Sequence, residues 1–266
     1  MPARQHLLRI HRVRPLPELP AHPLTLTVGK PSARDLRSQV FRSELRNFRR
    51  VAGVTTRRAV VVRGGWEGHS PVEATDLFIP FLKENGYDVT VSDSTAAYLE
   101  LDGVDLIVQC VTMSEIEPDH FKGLEAAIRR GTGFAGWHGG IADSFRKNVD
   151  YSFITGGQFI SHPHGFTDYR VNVIADHPIV DGITHFDVHT EQYYIHYDPT
   201  NNVLATTTFD SHPDYPWIEG AVMPAVWTRT WGEGKVFVCT VGHKLDDLET
   251  PEVRTIVERG LLWASK

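Results

Sequence analysis

The chain has 266 residues, of which 41% are hydrophobic and 23% charged, with 2 Cys and a formal net charge of −6. Two cysteines exclude a disulfide scaffold and a four-cysteine zinc site, and no apolar run reaches the ~18 residues of a membrane span. The negative charge argues against nucleic acid as a partner, which leaves a cytoplasmic protein of mixed helix and strand as the expectation.

The charge is divided unevenly. Residues 1–58 hold 13 Arg/Lys against 3 Asp/Glu, and residues 59–266 hold 14 against 30. The first segment is broken by Pro2, Pro15, Pro17, Pro20, Pro23 and Pro31. It has too little apolar content to offset its ordering entropy and reads as a disordered, basic extension. A basic interaction arm, a targeting segment and a start site assigned too early all fit it.

The folded pattern begins at Ala59. Ala59–Arg63 is a short apolar run ending in Gly64-Gly65, a buried strand that feeds a loop holding Trp66 and His69. Residues 72–85 repeat apolar positions at helical spacing, with Pro80 predicting a bend. Tyr87–Val91 and Leu106–Cys110 follow as strands. Residues 118–130 read as a helix with Phe121, Leu124 and Ile128 on one face, and Gly133–Trp137 as a strand running into His138-Gly139-Gly140. Strands alternating with helices predict an α/β fold, an open parallel sheet flanked by helices, with ligands at the carboxyl ends of its strands.

The second half adds strand-like runs at Tyr169–Ala175, Phe186–Tyr194, Val203–Thr208, Ala225–Thr230 and Lys235–Thr240, the last two joined through Gly232-Glu233-Gly234. A final helix starts at Thr250-Pro251. Residues 59–266 therefore read as one α/β domain with added antiparallel strands.

Gly131, Gly133 and Gly136 match G-x-G-x-x-G, but a dinucleotide site needs a strand before the glycines and a helix after them. Here the order is reversed, so these are packing and capping glycines. His138 lies where a strand ends in a tight, glycine-flanked turn, the setting of a nucleophile elbow with His in place of Ser or Cys. It is the first candidate for an acid or base, with Glu191 as its carboxylate partner. Gly157 allows close backbone approach, and His162 and His164 follow it in a His-Pro loop. His243, just past a strand end, and His69, in the first loop, are further candidates. Trp66, Trp137 and Tyr194 are candidates to stack on a sugar face. His162 and His243 are the candidate metal ligands, for a divalent ion such as Zn, Mn or Ni. Cys110 and Cys239 sit in apolar strands and read as core.

Taken in order, Gly136-Trp137-His138-Gly139-Gly140, Gly156-Gly157-Gln158-Phe159 with His162-Pro163, Glu191-Gln192-Tyr193-Tyr194, Pro224-Ala225-Val226-Trp227 and Gly242-His243 closely resemble the ThuA-like, trehalose-utilisation family. The resemblance covers about residues 59–264. It implies a fold similar to class I glutamine amidotransferases. Those enzymes carry Cys at the elbow; with His138 there, glutamine hydrolysis by a Cys–His–Glu triad is excluded. The resemblance also implies a role in catabolism of trehalose and related disaccharides through 3-keto sugars. It carries over His138, His162, Glu191 and His243 as site positions, whereas Pro80 departs from the pattern. The expectation is an enzyme acting on a keto-sugar by acid–base chemistry, metal-assisted or not, with a small carbohydrate as ligand and a homo-oligomer compatible with it. A non-catalytic sugar-binding or accessory protein is the alternative.

Overall fold

The computed structural model describes residues 56–266. The expected disordered extension and alternative start therefore lie almost entirely outside the described residues. The first strand, β1 (Arg57–Gly65), starts two residues before the predicted Ala59. Two short helices follow, α1 (Pro71–Asp76) and α2 (Ile79–Glu84), where one bent helix was expected. Pro80 explains the break: it cannot donate to the preceding turn, but it is well suited to the first turn of α2.

β2 (Tyr87–Ser92), β3 (Leu106–Thr112), α3 (Pro118–Arg129) and β4 (Gly133–Trp137) complete the predicted alternation. The next elements were not foreseen: the one-turn α4 (Gly139–Ala142), α5 (Val149–Thr155) and β5 (Gly157–Ser161). Beyond them run β6 (Phe166–Val173), β7 (His185–Glu191), β8 (Tyr194–Tyr197), β9 (Asn202–Thr208), β10 (Val222–Trp231) and β11 (Gly234–Cys239). Helices α6 (Leu245–Glu249) and α7 (Pro251–Ala264) close the chain.

Nine strands form one sheet in the order β2-β1-β3-β4-β11-β10-β9-β6-β7. The half from β2 to β11 is parallel, as predicted for its first four strands; β11, expected among the antiparallel strands, pairs parallel with β4 and antiparallel with β10. The other half is antiparallel and forms a wing. Within the wing, β6 and β9 are in register at Asn172↔Thr206 and Val173↔Ala205.

Alternation along the parallel strands fills a core on each face. Ala59, Val61, Phe237 and Trp137 pack with Phe78, Leu82, Val253 and Leu261 on one side. Val60, Val62, Phe134 and Val238 pack with Leu124, Ile128 and Ile154 on the other. Burial on both faces is why these strands read as continuous apolar runs rather than alternating ones. Cys110 and Cys239 belong to the first core, and burial pushes both thiols up to about 12, so neither is a nucleophile at neutral pH.

The predicted strand Phe186–Tyr194 is two strands. β7 ends at Glu191, and β8 starts at Tyr194 in a separate two-stranded sheet with β5. The corner between them is pinned by Gln192, whose Nε2 donates to Thr207 Oγ1 at 2.7 Å and to the Thr208 carbonyl at 3.0 Å.

Candidate active site

The site forms at the carboxyl ends of the parallel strands, where the fold predicts it. β4 delivers His138 with φ 47° and ψ −142°. Positive φ is costly for a residue with a Cβ and persists only where neighbours hold it. Here the His138 amide donates to the Cys239 carbonyl at 2.6 Å. Gly139 and Gly140 are obligatory beside it. A Cβ on Gly139 would run into the His69 ring, and one on Gly140 would lie 2.8 Å from Cys110 Cα.

The ring of His138 has a defined orientation. Its Nδ1 lies 2.8 Å from the Thr240 carbonyl oxygen, which only accepts, so Nδ1 carries the proton. Nε2 of the neutral ring is then a lone pair. It faces Glu191 Oε2 at 3.2 Å and receives the Tyr193 hydroxyl proton at 2.8 Å.

His69 reaches the same point from the loop after β1. That loop is tied to β3 by the Trp66 amide, which donates to the Thr112 carbonyl at 3.0 Å. His69 Nδ1 is hydrogen-bonded to Thr112 Oγ1 at 2.9 Å. His243 comes from the turn after β11. Its Nδ1 lies 3.1 Å from Glu191 Oε2, yet the pair is not aligned for a hydrogen bond, and this buried nitrogen has no hydrogen-bond partner among the described residues. His69, His138, Glu191 and His243 are all buried, and each offers a ligand atom within 4.8 Å of the others.

Burial alone would raise the Glu191 pKa, but the imidazoles of His138 and His243 beside it, which can take up a proton and favour an anionic neighbour, hold the carboxyl well below the usual range. Burial pushes His69 down to about 3, helped by repulsion from His138 and His243, and it lowers His138 as well. Glu191 is therefore a carboxylate beside two rings, His69 and His138, that are held neutral.

That charge state gives an acid limit. Both rings have folded pKa values below the free-chain value of 6.5, so the unfolded chain takes up protons first as the pH falls. Stability is fully present above about pH 6.5 and is lost downward from there, with Glu191 adding to the loss below its own free value of 4.5. In chelator-treated protein the melting temperature is expected to drop between pH 7 and 5. His69→Gln should flatten part of that drop. A melting temperature constant across the window would contradict the burial of neutral rings.

The donor set, three imidazole nitrogens and a carboxylate oxygen, suits a divalent transition metal. His243 Nδ1, buried beside Glu191 with no hydrogen-bond partner among the described residues, is a donor atom left for such an ion. Two of the rings also have their second nitrogen fixed, by Thr240 and by Thr112, the usual way a protein orients a ligating histidine. The residues present fit a metal.

Not every expected position joins the cluster. His162 stays outside the four-residue set: its Nε2 lies 3.5 Å from Glu191 Oε1, and its side chain is 41% exposed on the rim. The expected ligand pair His162 and His243 is not brought together in one group: of the two, His243 lies in the four-residue cluster with His69, His138 and Glu191, and His162 beside it. Trp137 is core, 1% exposed with its ring 4.8 Å from Phe78, because alternation along β4 turns it into the first core. Gly157 is a packing glycine, where a Cβ would meet Ile195 and Trp227 at 3.1 Å. Tyr194 and His164 sit beside Phe209, in a satellite cluster. Trp66 is at the site, edge-on to His69 and His243.

Tyr193 and Thr112 were missed. Tyr193 lies within the quoted motif next to Tyr194, and the β7–β8 corner decides which of the two rings faces His138. No periodicity marks that corner.

Among curated proteins, none matches the sequence. Solved structures with a similar fold include a putative ThuA-like protein of Parabacteroides merdae, 16% identical, with a TM-score of 0.64 over 79% of this chain and 90% of that one. A putative ThuA-like protein of Bacteroides uniformis is 16% identical, with a TM-score of 0.65 over 81% of this chain and 94% of that one. A cytoplasmic protein of Salmonella typhimurium is 14% identical, with a TM-score of 0.54 over 79% of this chain and all (100%) of that one. At these identities the likeness is one of fold. The sequence itself matches the family described as ThuA, trehalose utilisation, over residues 58–264, a span that includes every strand end and corner that builds the cluster, except the first residue of β1. With the α/β fold and the ordered motifs in agreement with that match, the chain belongs to the ThuA family.

Proposed function

We propose that this protein is a carbohydrate-catabolic enzyme that acts on a keto-sugar, as an isomerase or as a lyase or hydrolase, by acid–base chemistry. The observation that carries the reading is the convergence of His69, His138, His243 and Glu191 at the strand ends, ligand atoms within 4.8 Å of one another, with His243 Nδ1 left without a hydrogen-bond partner. A divalent ion of the Zn, Mn or Ni type, held by these four residues, would polarise a sugar carbonyl and acidify the neighbouring C–H.

The chain's own residues divide the remaining work. His138 is 1% exposed, and its Nε2 already faces Glu191 and Tyr193, so it serves as a fixed centre of the site rather than as the group that meets the C–H bond. His162, exposed on the rim beside Glu191, is placed to accept that proton at Nε2. The Tyr193 hydroxyl points at His138 Nε2; with that nitrogen engaged as a ligand, its one proton would be released to hydrogen-bond an oxygen on which negative charge develops. No helix among the described residues is long and apolar enough to cross a membrane, and the similar Salmonella protein is described as cytoplasmic, which supports the same location here.

The test is NMR in D2O on the full-length, metal-replete protein with 3-keto-trehalose and 3-keto-glucose. Deuterium should enter next to the carbonyl, or product should form. Both should disappear on chelation and fall about a hundredfold in His162→Ala, whose metal content should stay at the wild-type level. Sugar binding without exchange or product, in folded and loaded protein, would overturn the enzymatic reading in favour of a binding protein.

A further inference from the structure

Two large aromatic side chains stay half-exposed at the mouth of the cluster: Trp66 at 44% and Phe166 at 48%. Both meet the ring of the nearly buried His243 edge to face, Trp66 with centroids 6.1 Å apart and Phe166 at 4.8 Å. They reach it from opposite ends of the sheet, Trp66 from the loop after β1 and Phe166 from the first residue of β6.

Neither ring is placed by chance. A Cβ on Gly68 would lie inside the Trp66 indole, so the indole rests flat on that glycine backbone. Phe166 is the direct register partner of Glu191 across β6 and β7. Opposite residues of an antiparallel pair point to the same face, so the carboxylate of the cluster and the Phe166 ring emerge side by side. Lys244 lies over the Phe166 ring, with its Nζ 5.6 Å from the centroid, and leaves the ring's other face for a ligand. An apolar ring left in water is costly, and one flanked by a donor and set against a polar centre is the usual lining of a small-molecule site.

Resting on the carbohydrate reading above, we infer that Trp66 and Phe166 are the sugar-binding walls of this site, selecting a hexopyranose with equatorial hydroxyls. Such a ring carries C–H bonds on both faces and hydroxyls around its edge. The C–H faces pack on the indole and the phenyl ring. The edge hydroxyls meet the buried cluster. An acyclic polyol has the same hydroxyls but no flat face, and the walls discriminate against it. Phe166 is then a specificity-determining residue that neither charge nor motif spacing marks.

The test measures trehalose and 3-keto-glucose binding to the full-length, metal-replete protein by calorimetry, with sorbitol as the acyclic comparison. Trp66→Ala and Phe166→Ala should each weaken both sugars about tenfold or more, the size expected for losing a stacked aromatic, and Phe166→Tyr should restore binding. Sorbitol should bind more weakly than either sugar and respond little to the substitutions. Unchanged sugar affinity in both alanine variants, with wild-type melting temperature and metal content, would overturn the assignment. So would equal binding of sorbitol, and so would no sugar binding by the wild-type protein. Deuterium exchange is read on the same samples. Exchange with unchanged affinities removes the walls and keeps the enzymatic reading. Weakened affinities without exchange keep the walls and remove the chemistry.

Discussion

His138→Gly is expected to lower keto-sugar turnover about a thousandfold or more while the fold survives. The ring it deletes is the centre of the cluster, touching Glu191 and Tyr193 through one nitrogen and the Thr240 carbonyl through the other. Without it the remaining donors lose both a ligand atom and the element that orients them, so metal content should fall with activity. Stability should change little, because opposing terms nearly cancel. The ring's packing on Tyr193, at 4.2 Å between centroids, is lost, and so are its hydrogen bonds to Thr240 and to the Tyr193 hydroxyl, each worth about 1 kcal/mol. Against this, glycine relieves a backbone held at φ 47°, a strain of about 1–3 kcal/mol, at an entropic cost of ~0.5–1 kcal/mol. Thermal unfolding, metal analysis and exchange on one sample check all three points. A folded variant with full turnover would remove the elbow from the site.

Gly136→Val has the opposite profile: it leaves the chemistry untouched and removes the protein. Gly136 lies in β4 beside Gln109 of β3. A Cβ there would collide with the Gln109 carbonyl oxygen and lie 2.9 Å from Ile141 Cβ, the helix residue that follows the elbow. Backbone on one side and a packed helix on the other leave no room to relax. The cost should exceed the ordinary ~1–3 kcal/mol of overpacking, a large part of the stability of a domain this size. The variant is expected to accumulate as insoluble or unfolded chain, read by soluble yield and circular dichroism. A soluble variant with wild-type melting temperature would refute the packing role given to the Gly131–Gly136 motif, whose last glycine this is.

Much of this was legible in the residues. The parallel half announces itself because its strands are buried on both faces, so Ala59–Arg63 and Leu106–Cys110 appear as unbroken apolar runs bounded by turn residues. The elbow is legible for a steric reason: only a Trp-His-Gly-Gly turn of this kind gives the chain space to reverse after a buried strand. His243 was legible as a polar residue just past a strand end, and Glu191 as a carboxylate partner for His138 within the family motif; that β7 ends at Glu191 was not. The ligand set was not. It depends on which atoms of four distant loops come within 4.8 Å, and no local pattern encodes that. Trp137 and Tyr194 were misplaced for the same reason: an aromatic beside a site residue in sequence lies on the opposite face of a strand or around a corner. Phe166 was missed because its value comes only from its register with Glu191.

In the sheet order, β4 and β7 are five strands apart. At about 4.8 Å per strand, a flat sheet would hold them roughly 24 Å from each other. Yet His138, just after β4, and Glu191, at the end of β7, are 3.2 Å apart at Nε2 and Oε2. The wing must therefore roll over the strand ends like a closing hand, bringing the carboxylate to the histidines. The join that carries β6 and β7 to β9 is narrow, with Asn172↔Thr206 and Val173↔Ala205 in register and the Ile174 amide donating to the Leu204 carbonyl at 2.9 Å. The curvature there, at residues outside the cluster, sets the gap between the carboxylate and the imidazoles. A change at Val173 or Ala205 acts on the site as a change in the length of a caliper arm acts on its jaws.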